Sequence, residues 1–173
     1  MDKKLEKFLT DNKIKFELHE HKKIFTAHDE AQTQHLKTQE IAKVVLVKTT
    51  PSPPASQARA LRAGTSLFGK EGAPYALVVI PAQKYVDFAK VKKGLKVKKV
   101  SMAKESDITK ILKTKVGLIH PFGNLYGLPV LLDNYLVKQK KLMASAGSYT
   151  ASLEVKVSDF LNHVKPIKGS FSK

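Results

Sequence analysis

Two short apolar runs, "IAKVVLVKT" (41–49) and "YALVVIPA" (75–82), do most to limit what this chain can fold into. Both are rich in Val, Ile and Leu, and β-branched side chains favour extended backbone. Each has the length of a strand, well short of the roughly 20 apolar residues a membrane helix needs. They are expected to be buried strands of one sheet. The rest of the chain alternates in character. Residues 2–12 place Leu5, Phe8 and Leu9 on one helical face. "KFELHEH" (15–21) reads as a strand. Thr26 with Asp29 is a capping-box pattern that opens a helix over 27–35. "VDFAKVKKGL" reads as a helix with Gly94 near its end, and "KVKKVSM" as a short strand. "KESDITKILKT" is a helix with Ile108, Ile111 and Leu112 turned inward. Strands "LPVLLD", "KKLMASAG" and "ASLEVKV" follow, then helix "SDFLNHV" with Ser158 as N-cap. Interleaved strands and short helices predict a mixed α/β class: one compact domain, its mixed and partly barrel-like central sheet surrounded by short helices.

That domain is expected over residues 1–165. It carries a Pro/Gly/Ala-rich loop or insertion at 50–73, which holds three Pro, three Gly and the only two arginines, Arg59 and Arg62. Residues 166–173 read as a flexible basic tail.

Charge narrows the partners. The chain has 31 Lys+Arg against 15 Asp+Glu, a net of +16. Residues 84–115 hold eleven Lys and three acids, a net of +8, whereas residues 1–50 hold ten Lys and eight acids, a net of +2. Such a field draws polyanions by steering and counterion release. A solubilising lysine surface is the plainer alternative, because Lys makes up 29 of the 31 basic residues. The count of zero Cys excludes disulfides and thiolate metal sites. The charged amphipathic start lacks the apolar core of a signal peptide, so a cytoplasmic protein without membrane contact is expected.

Several motifs fail on inspection. "GTSLFGKE" (64–71) satisfies G-x-x-x-x-G-K, but Glu71 stands where magnesium needs Ser or Thr. His19 and His21 share a strand face, and His28 and His35 lie near one helix face. No acid or third His stands at a recognised metal spacing, so solvated histidines and no metal are expected. "SAGS" (145–148) has the wrong order for a nucleophile elbow.

The stretch "VGLIHPFG" (116–123) is unusual in another way. It places two Gly and a Pro among apolar residues, where a surface turn is ordinarily polar. Three pieces then line up: "FTAHDEA" (25–31) before "EIAKVVLVK" (40–48); "GLIHPFG" (117–123); and "VLLDNYL" (130–136) before "ASAGSYTASLEVKVSDFL" (144–161). In order and spacing the chain resembles the YbaK / prolyl-tRNA synthetase-associated editing family, over about residues 1–163 apart from the 50–73 insertion. Members hydrolyse wrongly charged aminoacyl-tRNA. The resemblance carries the family's strand lysine onto Lys43 and its G-x-x-x-P loop onto Gly117, Leu118, Ile119, His120 and Pro121.

The resemblance implies that Lys43 holds the charged 3′ end of tRNA while the loop backbone grips the aminoacyl ester. Backbone N–H groups in a Gly-Pro loop can meet a developing oxyanion without reorganising. Lys43 precedes "VVLV", so its ammonium needs a cleft or an anion, or it snorkels to solvent. Thr26, Phe122, Gly123, Gly147, Ser148 and Tyr149 are the implied substrate contacts. Arg59, Arg62, Lys92, Lys93, Lys98 and Lys99 are expected to bind RNA. Two positions depart from the family. His120 stands where relatives commonly have Ser or Thr, and Tyr149 where some have His. His120 is either a general base near neutral pH or a space filler. The implied function is hydrolysis in trans of mischarged tRNA, a tRNA for proline being the first candidate. No cofactor is needed, no DNA is expected, and a synthetase is a possible partner. The alternative is a non-catalytic RNA-binding or synthetase-partner module with the same fold.

Overall fold

The computed structural model describes residues 1–21, 40–50 and 75–173. Strands β2 (Ala42–Thr50) and β3 (Tyr75–Pro81) pair antiparallel, in register from Ala42 opposite Pro81 to Lys48 opposite Tyr75. They are the centre of a five-stranded sheet ordered β4-β2-β3-β5-β8. Strand β4 (Lys99–Met102) pairs antiparallel with β2. Strands β5 (Val130–Asp133) and β8 (Ile167–Gly169) run parallel to β3 and to each other. One face buries Leu46, Leu77, Val79, Val130 and Leu132, and the other buries Val47, Ala76, Val78, Ile80 and Leu131. A sheet covered on both faces needs near-continuous apolar strands, which is why the two apolar runs show no polar alternation.

A second, antiparallel sheet has the order β1-β7-β6, formed by β1 (Phe16–Glu20), β7 (Ala151–Lys156) and β6 (Lys141–Ser148). The two sheets meet where Ile41 bridges to Met143 and the Met143 N–H donates to the Glu40 carbonyl at 3.0 Å. The mixed α/β architecture is therefore as expected, although the sheet is two sheets joined at a seam rather than a closed barrel. Among the described residues five short α-helices surround them: α1 (Lys3–Asp11), α2 (Phe88–Leu95), α3 (Glu105–Leu112), α4 (Asn134–Val137) and α5 (Val157–Val164). Asp2 caps α1 and Asp87 caps α2 through their side chains. No helix among the described residues is long and apolar enough to cross a membrane.

Two local expectations are corrected, and a third holds. Residues 166–173 are not a loose tail: Ile167–Gly169 form β8, and Phe171 is buried. The buried Asp133 carboxylate accepts from the N–H groups of Phe171 at 2.7 Å, Ser172 at 2.9 Å and Tyr135 at 2.9 Å, which ties this segment down. Gly94 lies near the end of α2 as expected, although the helix continues to Leu95 and closes on left-handed Lys96. Gly94 is small because Phe171 packs on it, so that an added Cβ would sit 2.7 Å from Phe171 Cε1. Ser158 does not cap α5. Its hydroxyl turns to Asp159, and the cap position is Lys156, still paired to Lys141 in the sheet, so the end of β7 sets where the helix begins. The expected helix over 27–35, Thr26, His28, His35, Arg59, Arg62 and "GTSLFGKE" lie outside the described residues.

Asp133→Ala should destabilise the protein by about 3 kcal/mol or more, since each buried N–H left without an acceptor costs about 1–3 kcal/mol. Urea unfolding measures this. A wild-type midpoint would mean that the C-terminal segment docks without the carboxylate.

Candidate functional site

Helix α3 closes on left-handed Lys113, and the chain enters the loop at 116–123. Gly117 has φ +83°, a conformation that side-chain-bearing residues seldom adopt. The loop is anchored by its own bonds. Leu118 N–H donates to the Lys115 carbonyl at 3.1 Å, and Gly123 N–H to that of Pro121 at 3.1 Å. The side chains of Ile119 and Phe122 sink into the main core. The N–H groups of Gly117 and Ile119 meet no acceptor among the described residues, and Gly117 is exposed.

His120 is 1 % exposed. Its Nδ1 accepts from the Phe122 N–H at 3.3 Å, so the neutral ring carries its proton on Nε2. That Nε2–H donates to the Tyr126 hydroxyl oxygen at 2.8 Å, and the two rings stack 5.1 Å apart. Burial pulls its pKa from 6.5 down to about 4, against a weaker upward pull from Asp2. The imidazole is thus neutral near pH 7 and its acceptor nitrogen is engaged. The general-base reading is corrected: this ring fills space and clasps the loop.

Two implied substrate contacts are also core residues. Phe122 is fully buried, edge-on to Phe160 at 5.3 Å and tilted against Phe8 at 5.8 Å. Gly123 is pressed by its neighbours, an added Cβ lying 2.5 Å from Val130 Cγ2. Packing against α1 and α5 takes Phe122 away from solvent, and packing against β5 takes Gly123.

The turn at 147–150 does reach the loop. Tyr149 donates from its hydroxyl to the Val116 carbonyl at 3.3 Å. Ser148 Oγ lies 3.0 Å from Thr150 Oγ1 and accepts from the Thr150 N–H at 3.2 Å, which shapes the turn. Gly147 has φ +80°, and an added Cβ would lie 2.9 Å from Asp2 Cβ. Asp2 docks there by donating its N–H to the Ala146 carbonyl at 2.9 Å. Lys43 is placed differently. It pairs with Ile80 and follows the alternation of Val47, on the sheet face opposite Ile119 and Phe122. Its ammonium lies 4.9 Å from the Tyr85 ring centroid and makes no hydrogen bond or ion pair among the described residues. Burial lowers its pKa. The structure brings the loop and the Tyr149 turn together, but puts no hydrogen bond between Lys43 and the loop.

Behind the loop is a cavity of about 590 Å³. Ile111, Leu112 and Leu125 line it, together with the buried His120 and the half-buried Tyr126. Nothing in the local sequence pattern marks Tyr126, six residues beyond His120, as part of it. Elsewhere, Lys92, Lys93, Lys98 and Lys99 are all exposed, at the end of α2 and the start of β4. Cations suit a helix C-terminus, and lysines protect an edge strand from further pairing. His19 is not simply solvated. Its Nε2 lies 3.4 Å from Glu154 and 3.9 Å from Glu17, and these three groups could hold a metal ion by proximity. Lys141 pairs with Glu154, so the group reads as an ionic network on the sheet surface. The acid that sequence spacing missed is Glu154, which comes from β7 and faces Glu17 across the strand pair.

The fold is shared with solved structures. The hypothetical protein APE2540 superposes with a TM-score of 0.78 at 19% identity, covering 99% of this chain and 100% of its own. A protein described as a candidate trans-editing enzyme for prolyl-tRNA synthetase gives 0.74 at 14% identity, covering 100% and 99%. No curated protein matches in sequence. The family profile of the aminoacyl-tRNA editing domain matches residues 21–162, and with most of its length inside that match this chain belongs to the aminoacyl-tRNA editing domain family.

Proposed function

We propose that this protein hydrolyses, in trans, the ester that joins a mismatched amino acid to tRNA, tRNA for proline being the first candidate. The observation that carries this reading is the pair of N–H groups on Gly117 and Ile119, which have no acceptor among the described residues and belong to a loop anchored to the core. Water attacks the ester carbonyl, the carbonyl oxygen becomes an oxyanion, and these two donors receive it. The bond to the ribose oxygen then breaks, releasing the amino acid and tRNA. Donors held in place before the reaction need no reorganisation as charge develops. Leu118 and Pro121 complete the loop, and Tyr149, Ser148 and Gly147 border it. Lys43 is a partly buried ammonium with no ion-pair partner among the described residues. A terminal phosphate of the tRNA would satisfy it.

The decisive test is a deacylation panel with Ala-, Cys-, Ser- and Pro-charged tRNA in the presence of chelator, run on wild type and Lys43→Ala together. Wild type should release at least one amino acid. Lys43→Ala should be slower by roughly tenfold to over a hundredfold, the equivalent of about 1.5–3 kcal/mol for a charge-assisted contact. No release anywhere would favour a non-catalytic RNA-binding module. Full activity in the variant would mean that Lys43 only packs on Tyr85.

His120 gives a pH signature of its structural role. Folding holds it neutral, with a pKa of about 4 against 6.5 as the ordinary value. Between those values the unfolded chain binds the extra proton, so this contribution is whole above pH 6.5 and is lost as pH falls towards 4. The loss should reach about 3 kcal/mol. Urea midpoints at pH 7.5 and 4.5 should differ more in wild type than in His120→Gln. Equal differences would show that the ring is not held neutral.

The lysines of α2 and β4 are proposed to dock the body of the tRNA, with Arg59 and Arg62 as a second contact. Phosphate contacts give a log–log salt slope of about −0.7 to −0.9 each. Replacing Lys92, Lys93, Lys98 and Lys99 by Gln should weaken tRNA binding and flatten that slope, while sparing cleavage of aminoacyl-adenosine. An unaltered slope would leave these lysines as a solvated surface.

A further inference from the structure

The cavity behind the loop plays no part in the hydrolysis described above. Three exposed lysines, Lys3, Lys4 and Lys113, stand at its mouth. Asp2 is also there, but its Oδ1 accepts from Lys4 N–H at 2.7 Å and Leu5 N–H at 3.2 Å, capping α1. Three ammonium groups against one engaged carboxylate leave the mouth cationic. The walls are aliphatic. The end formed by His120 and Tyr126 is polar, and its hydrogen bonding has a defined direction. Because His120 Nδ1 accepts from Phe122, its Nε2–H fills a lone pair of the Tyr126 oxygen. The Tyr126 O–H proton is then left to point away from the imidazole, and Tyr126 is among the residues that line the cavity. Burial raises the Tyr126 pKa to about 12, which keeps that donor protonated.

An occupant must therefore present an acceptor inside, an apolar body between the walls and negative charge outside. A wholly aliphatic acid would strand the phenol donor, and a bare anion would leave the walls wet. We infer that this cavity seats a nucleoside 5′-phosphate, with a base carbonyl on the Tyr126 hydroxyl and the phosphate among Lys3, Lys4 and Lys113. The volume lies within the range of small-molecule sites. The nucleotide is either free or one unit of an RNA strand. The inference does not depend on ester hydrolysis, because binding can be read without turnover.

Calorimetry on the full chain tests it with 5′-UMP, 5′-CMP, uridine and inorganic phosphate as probes. At least one nucleotide should bind at least tenfold more tightly than uridine or inorganic phosphate. Tyr126→Phe should weaken that nucleotide about three- to tenfold. The triple change Lys3→Gln, Lys4→Gln, Lys113→Gln, confined to exposed positions, should bring its affinity down to that of uridine. If Tyr126→Phe fails to fold, the lysine variant and the probe ranking still decide. No nucleotide binding at millimolar concentration, inorganic phosphate binding as tightly as the nucleotide, or affinity unaltered by the lysine changes would each overturn the assignment. With binding established, competition by the RNA trinucleotide CCA identifies the source. Displacement points to an RNA strand, and its failure to a free nucleotide.

Discussion

The buried carboxylate of Asp133 joins three distant parts of the chain. It ends β5, caps the first turn of α4 through Tyr135 and receives two N–H groups from the C-terminal segment. A carboxylate out of water is costly unless its lone pairs are met, and here three backbone donors meet them. The consequence is geometric. With β5 held between β3 and β8, Leu77 N–H reaches the Pro129 carbonyl at 2.9 Å, so the segment leading into β5 has a fixed approach to the sheet. The 116–123 loop lies just upstream of that approach.

The stiffness of that loop has a physical source. Ile119 and Phe122 are core side chains, and His120 clasps Phe122 and Tyr126 from the inside. A polar loop would gain solvation but would lose these anchors. The apolar composition is what lets the backbone at Gly117 stay in place while exposed. The residue that looked most reactive in the sequence is enclosed in the core. Its role is to be held neutral and to clasp the loop from within.

The lysine excess also divides into separate physical jobs. Lys13, Lys96, Lys113 and Lys165 adopt positive φ just after helices α1, α2, α3 and α5, where glycine is the usual choice. Lys43, Lys48 and Lys84 lie over the rings of Tyr85, Tyr75 and Tyr135, at 4.9, 5.8 and 4.1 Å. These contacts satisfy local needs of the fold. Lys92, Lys93, Lys98 and Lys99 remain outward around the end of α2 and the start of β4, and their shared field is open to a polyanion.

Much of this was legible in the residues. The apolar runs at 41–49 and 75–82 identified the two central strands, because a strand buried on both faces needs an unbroken apolar sequence. The loop at 116–123 was recognisable from Gly and Pro set among apolar residues. What tertiary structure decided was where distant groups meet. Phe171 reaches Gly94, Glu154 reaches His19, and Tyr126 accepts a hydrogen bond from His120. Lys43 and the loop fall on opposite faces of one sheet. Periodicity tells which side of its own element a residue occupies, and that local rule exposed the strands and helices. It holds no record of which other element covers that side, because strand order, register and the docking of the C-terminal segment are set by contacts between residues far apart in the chain.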